Sequence, residues 1–276
     1  MKRLSIYLFI IALSNLRGQE MLQNLPVSDQ ISSTKAFNLD EIKVRWKKNA
    51  LENCIGAPCL PTNPIGPTGS TCASASCPTS SVTDVDGNVY NTVLIGTQCW
   101  LKENLRVTKY NDNSNIQSST TPPLSSSIGE RIILQNRSMA TVDTLGFLYN
   151  WFAATNNLGI CPTGWKVPSL ADFNRLIKFV DVGADTTLSG PSLTGGIFLK
   201  TTGSSWGLNN ISTNSSCFSA LQSGSSSNFF PNFSPIGATF WSSSPGEETL
   251  WIFPDNSLET YNYSRNNGFS IRCIKN

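Results

Sequence analysis

From Val82 onward the apolar positions follow two periods, one of two residues and one near three and a half, and they predict strands with one well-marked helix. Val82 and Val85 precede Asp86-Gly87, a favoured two-residue hairpin turn, and Val89, Tyr90, Val93, Leu94 and Ile95 follow it, so this stretch is expected to form a β-hairpin. A second strand-like run follows at residues 99–107, CWLKENLRV. Residues 110–130, YNDNSNIQSSTTPPLSSSIGE, then lose all periodicity and predict a long polar loop, exposed and mobile. Trp165, Lys166 and Val167 alternate like the end of a strand and Pro168 stops it. Ser169 with Asp172 three residues later is a helix N-cap pattern. Leu170, Phe173, Leu176, Ile177 and Val180 share one face, which predicts a helix burying a stripe through about Val180. In the C-terminal third, Trp251, Phe253, Tyr261 and Tyr263 recur at two-residue spacing around Pro254, Asp255, Asn256 and Ser257, predicting paired strands joined by a turn. Half of these aromatics are expected to face the core. Of Tyr261 and Tyr263, one is expected to serve folding and the other binding.

The opening MKRLSIYLFIIALSNLRGQE has Lys2 and Arg3 before an apolar run from Leu4 to Leu13. That run is shorter than the roughly 20 residues needed to cross a bilayer and fits a secretory signal, residues 1–18. Cleavage is expected after Ser14 or Gly18, and no cysteine nearby suggests a lipidated terminus. No later segment is apolar enough for a membrane helix. Residues 19–53 are polar, and residues 54–81 are rich in Pro, Gly, Ser and Cys and suggest a stapled linker. The main domain is expected over 82–276. Export makes the eight cysteines disulfide candidates, because the CIGAPC and CASASC spacings depart from the C-x2-C of zinc sites.

Composition narrows the chemistry. Twenty Lys and Arg against eighteen Asp and Glu leave a net charge of +2, far from the basic stripe that nucleic acid requires. Charged residues make up 14%, below the roughly 25% of ordinary domains, with Ser, Thr and Asn in their place. Such surfaces suit uncharged, hydrogen-bonding partners. There is no histidine, which excludes Ser-His-Asp triads, Cys-His dyads and histidine-ligated zinc. The DVDGN stretch does not fit a calcium loop: Gly87 comes too early, and the twelfth position from Asp84 is Ile95. Glu247, Glu248, Asp255 and Glu259 offer a glycosidase pair by count alone. No catalytic residue, metal or cofactor is expected.

Seven segments carry a family resemblance: VTDVDGNVYNTVLIGTQCWLKENLRVTKYND, GFLYNWFAA, CPTGWKVPS, GGIFLKTTGSSW, CFSAL, FWSSS and NNGFSIRCIKN. In this order they resemble the Fibrobacter succinogenes major paralogous domain family over residues 82–276. The resemblance implies an α+β, C-type-lectin-like fold related to that of formylglycine-generating enzymes, with a small twisted antiparallel sheet, one or two helices and extensive ordered loops. It also implies a secreted or surface-exposed module, and it supplies no catalytic residues. Three positions depart from the family pattern: Lys166 stands where histidine is common, Cys217 stands where glycine is usual, and Gln222-Ser223-Gly224 replaces a proline-glycine turn.

In C-type-lectin-like folds the first helix region is stapled to the last strand, which implies a Cys161–Cys273 disulfide. Cys77 and Cys99 flank the first hairpin and form a second expected pair. The functional expectation is a secreted or cell-envelope, non-catalytic binding or adhesion module for polysaccharide or a surface protein. Asp255, Asn256, Tyr261, Asn262, Tyr263 and Arg265 are its candidate ligand-binding residues. FPDN only echoes the calcium-lectin triplets, and WND is missing. The alternatives are a structural, protein-contacting module of an envelope assembly and a thiol-dependent enzyme built on Cys217. If the chain is exported, intact-mass analysis of envelope protein will find a mature N-terminus between about Asn15 and Glu20. Uncleaved chain in the cytoplasm would refute export.

Overall fold

The computed structural model describes residues 77–132, 139–203, 206, 211–226, 237–246 and 248–276. The expected signal, polar segment and most of the linker therefore lie outside the described residues. The described part is α+β, with mostly antiparallel sheets and a few short helices. None of its helices is long and apolar enough to cross a membrane.

A five-stranded sheet holds β1 (Ser81–Thr83), β2 (Val89–Ile95), β3 (Gln98–Leu101), β11 (Ile274–Lys275) and β7 (Trp165–Lys166), in that order. A second sheet runs β10 (Leu258–Asn262), β9 (Glu248–Ile252), β8 (Ala238–Trp241), antiparallel throughout. A third joins β4 (Gln117–Ser119), parallel to β5 (Glu130–Ile132), and β6 (Leu148–Tyr149). The helices are α1 (Met139–Leu145), α2 (Trp151–Ala154), α3 (Leu170–Val180) and α4 (Gly196–Leu199).

The hairpin β1–β2 forms, but its turn is one residue wider than the two-residue turn expected. Asp84 N–H donates to Asn88 O and Gly87 N–H to Asp84 O, so the chain turns over Val85, Asp86 and Gly87, with Gly87 at φ 85°. The cause is the Asp84 carboxylate, which accepts the N–H groups of Asp86 and Asn88, the Asn88 amide and the Tyr90 hydroxyl. Four donors on one side chain favour the longer loop, with glycine at its left-handed position.

Helix α3 starts and stops where the sequence places it. The Ser169 hydroxyl accepts from Asp172 N–H while the Asp172 carboxylate accepts from Ser169 N–H, which is a complete capping box. Burial works against the charged form of Asp172, but the Ser169 donors and the Lys166 ammonium hold its pKa below the ordinary carboxylate value. Phe173, Leu176, Ile177 and Val180 are buried; Leu170, at the first turn, is only half-buried.

Strand β3 is buried at every position because the five-stranded sheet is packed on both faces. Leu101 and Cys99 join one cluster with Tyr90, Tyr149, Trp165, Trp241 and Phe269, while Trp100 joins the other with α3, Phe218, Phe240, Leu250 and Ile252. The C-terminal segment passes between these groups. Phe269 exchanges hydrogen bonds with Tyr149, Ser270 bonds Thr239 and Trp241, the Ile271 carbonyl accepts from Leu105, and Ile274 pairs with Trp100 and Lys166. Residues 110–130 also depart from expectation. Ile116 and Leu124 are buried, and the Asn150 amide donates to the carbonyls of Ser125 and Ile128. A polar loop is thus pinned by two apolar anchors and one buried amide.

Both expected disulfides are present, Cys161–Cys273 and Cys77–Cys99. The first closes a sequence separation of 112 residues. Replacing both Cys161 and Cys273 with serine should lower stability in denaturant titration by about 2–4 kcal/mol. Ser169→Ala, which breaks the capping box, should cost only about 1 kcal/mol. Equal losses would overturn this ranking.

Candidate functional site

The sheet β8–β10 has two unlike faces. Ala238, Phe240, Leu250, Ile252 and Leu258 point into the core and are fully buried. Strand alternation puts Thr239, Trp241, Thr249, Trp251, Glu259 and Tyr261 on the other face, and the register confirms the grouping: Trp251 lies opposite Glu259 and Thr239, and Tyr261 opposite Thr249; Thr239, Trp241 and Thr249 are covered and buried, so only Trp251, Glu259 and Tyr261 are partly open on this side. On this outer face Trp251 and Phe253 stack at 4.5 Å between ring centroids, Trp251 meets Tyr263 at 5.8 Å, and Tyr263 meets Tyr261 at 6.3 Å. Tyr263 also packs at 5.1 Å on buried Phe269. Phe253 is buried, whereas Trp251, Tyr261 and Tyr263 are half-buried. The expected split between Tyr261 and Tyr263 is therefore corrected: two residues apart on a strand, they share a side and touch. Burial, reinforced by Tyr261 and Glu259, pushes the Tyr263 hydroxyl above its ordinary pKa.

The other candidates divide. Arg265 is exposed, with its guanidinium 4.6 Å from the Trp151 ring and its carbonyl accepting from Trp151 N–H. Asn262 is exposed but lies on the opposite side of β10 from Tyr261, so it does not join the aromatic row. Asp255 is exposed at the turn, where its carboxylate accepts from the Ser257 N–H and hydroxyl. Asn256, at φ 80°, gives its carbonyl to Gly196 N–H. Glu248 and Glu259 fall on opposite sides of the sheet and do not converge as an acid pair. Cys217 is buried and disulfide-bonded, so it presents no free thiol. Among the described residues no cluster of three or more Cys, Asp or Glu is placed to hold a metal.

Two residues near this face are absent from the sequence-based set. Trp151 opens α2 directly after Asn150, whose side chain caps that short helix. Lys200 follows the apolar GIFL of α4 and is fully buried, donating to the Pro254 carbonyl at 2.8 Å with its ammonium 5.1 Å from the Trp206 ring. It thereby holds the turn that carries Asp255 and Asn256. A lysine after an apolar run would ordinarily snorkel to water, and here the 253–257 turn folded over α4 and the Trp206 ring cover it.

Burial pulls the Lys200 pKa down to about 8, with the Asp255 charge acting in the opposite direction. In the unfolded chain the group titrates near its ordinary 10.5, so between pH 8 and 10 the unfolded state binds more protons and stability rises with pH. Wild type should therefore gain up to about 1.4 kcal/mol per pH unit across this window relative to Lys200→Met. Parallel pH-dependent denaturation of the two proteins would refute the buried amine.

The sequence profile described as Fibrobacter succinogenes major domain matches residues 93–275. No curated protein and no solved structure matches the chain. The matched span runs from the middle of β2 through β11 and takes in both disulfide-bonded cysteines of the Cys161–Cys273 staple, α3 and the aromatic face, and it covers well over half of the sequence. The chain belongs to the Fibrobacter succinogenes major domain family.

Proposed function

We propose that the chain is an exported, non-catalytic binding module of C-type-lectin-like topology, and that its ligand is an uncharged polysaccharide held on the partly open side of β9 and β10, around Trp251 and Tyr261. The observation that supports this most is the row Tyr261, Tyr263 and Trp251, three half-exposed rings on one side of the sheet in which Tyr263 contacts both of the others. Sugar rings present apolar C–H faces that stack on aromatics and hydroxyls that bond to polar groups at the rim. Glu259 lies on the same side as the row, Ser264 and Asn266 follow it in sequence, and Arg265 and Asp255 are the flanking charges. A chain with only 14% charged residues has few fixed charges to repel or select an ionic ligand. The C-type-lectin-like topology is supported by the staple between the start of the helical region and the final strand, and by β11 lying between β3 and β7.

A second reading, a protein-contacting module of an envelope assembly, is favoured by Val182, Leu188 and Leu193, exposed aliphatics in the connection between α3 and α4.

Tyr261→Ala should weaken retention on a bound polysaccharide about 30-fold, the equivalent of a hot-spot loss near 2 kcal/mol. Tyr263→Ala, which also strips packing from Phe269 and Trp251, should lower the melting temperature more than Tyr261→Ala does. A glycan array probed with the full chain, with and without chelator, tests the reading. No retention on any polysaccharide would transfer support to the assembly role.

A further inference from the structure

The cysteines among the described residues are Cys77, Cys99, Cys161, Cys217 and Cys273. The bridges Cys77–Cys99 and Cys161–Cys273 use four of them, yet Cys217 is disulfide-bonded as well. Within the chain its partner is therefore Cys54, Cys59 or Cys72, all of which lie outside the described residues. The backbone around Cys217 is fixed in an unusual shape. Cys217 stands at φ 59°, between Asn214 at 50° and Ser219 at 57°, a left-handed conformation that is costly for any residue but glycine. The turn persists because Cys217 N–H donates to the Asn214 carbonyl, Ser219 N–H to the Asn214 side-chain oxygen, and the Ser216 hydroxyl to the Phe198 carbonyl of α4.

We infer that Cys217 is bonded to Cys72, and that this bridge and Cys77–Cys99 together form a strap that fixes the start of the domain against the turn at residues 214–219. Three observations select Cys72. It shares the compact unit Asn63–Asn276 with Cys217, whereas Cys54 and Cys59 precede that unit. It stands five residues before Cys77, which gives it a reach of up to about 17 Å from a point already anchored. That anchor lies close to the Cys217 turn. Trp100, the neighbour of Cys99, meets the ring of Phe218, the neighbour of Cys217, at 5.7 Å between centroids. Cys99 also pairs with Leu94 near the β2–β3 turn, where Gly96 comes up against the ring of Phe179, a residue packed on the same cluster as Cys217. Of the three thiols, Cys72 is thus tethered by the shortest chain and has the highest effective concentration at Cys217. Cys54 and Cys59, spaced as CIGAPC, are left to close on each other. Formation of the bridge passes two electrons and two protons from the Cys72 and Cys217 thiols to an exchanging disulfide, which leaves as two thiols. The strap has a clear mechanical use. Strand β1 is three residues long, lies at the edge of its sheet and begins just after Cys77, so a second bond upstream keeps that edge from peeling away. Cys217 clusters with Phe240, Leu250 and Ile252, the inner residues of β8–β10, so the strap stands across that sheet from Trp251 and Tyr261 and does not depend on the binding reading.

The test is a disulfide map of the full, oxidised chain, alkylated with iodoacetamide in denaturant before any reduction and digested at low pH to prevent exchange. Cys54, Cys59, Cys72, Cys77 and Cys99 share one tryptic peptide, Asn49–Lys102, and Cys217 lies in another, Thr201–Arg265. Expected is a monomer on non-reducing gels in which these two peptides are joined, and a peptic digest, cut after Leu60, in which the Cys217 fragment carries the Cys72 fragment and not that of Cys54 or Cys59. Cys217→Ser should then gain one alkylated thiol per chain, at Cys72, and should be cleaved faster by protease ahead of β1. Should that variant fail to fold, the map of the unaltered chain decides alone. Alkylated Cys217 in the unreduced protein, a Cys217 bond between two copies, or a bond to Cys54 or Cys59 would each overturn the inference.

Discussion

A full positive charge without a carboxylate partner in hydrogen-bonding reach sits at the centre of the described fold. The guanidinium of Arg272 has no exposure and packs against the rings of both Phe218, at 4.4 Å, and Phe240, at 5.3 Å. It donates to the Phe218 carbonyl and to the Asn104 side chain. Burial works against its charged form, and these acceptors and ring faces offset that cost only while every one of them stays in place. That condition ties together distant parts of the chain. Asn104 also donates to Leu145 O at the end of α1, Phe218 meets Trp100 edge-on, and Trp100 stacks on Phe173 of α3. Arg272 stands next to Cys273, so the disulfide to Cys161 and the buried charge constrain the same two residues of the same segment.

The outer face of β8–β10 depends on that centre. Phe240, one of the two rings against Arg272, is the core-facing neighbour of Trp241 on β8, and Trp241 on the other side supports Phe269, on which Tyr263 packs. Trp241 Nε1–H donates to Tyr149 O and so ties this sheet to β6. The exposed rings are thus the outermost layer of a continuous aromatic stack that begins in the core.

The turn at residues 253–257 is held by a different means. Lys200 grips it from below through the Pro254 carbonyl, and the backbone of α4 meets it through Gly196 N–H and Asn256 O. A side chain on Gly196 would collide with the Asn256 backbone at about 2.7 Å, so this close approach requires glycine. One sheet face therefore meets two unlike supports: aromatic packing at the Tyr263 end, and a buried amine with a bare backbone contact at the Phe253 end.

Local order was legible in the amino-acid sequence. The capping box and apolar stripe of α3, the strand pair around the 253–257 turn, and the hairpin after Val82 all arise from contacts within about a dozen residues, which side-chain type and spacing express directly. The missing histidines and the low charge removed whole classes of chemistry on composition alone. Other features were decided only by tertiary structure. Lys200 and Arg272 look like ordinary surface cations until distant segments close over them. Residues 110–130 look like free loop until Asn150, Ile116 and Leu124 are seen to pin them. Two-residue periodicity placed Tyr261 and Tyr263 on a strand, but their contact with each other and the tilt of Tyr263 against Trp251 depend on the strands paired beside them and the rings packed below. The reason is physical: periodicity records which side of an element a residue takes, while burial, charge compensation and ring orientation are set by whatever the chain brings against that side from far away in sequence.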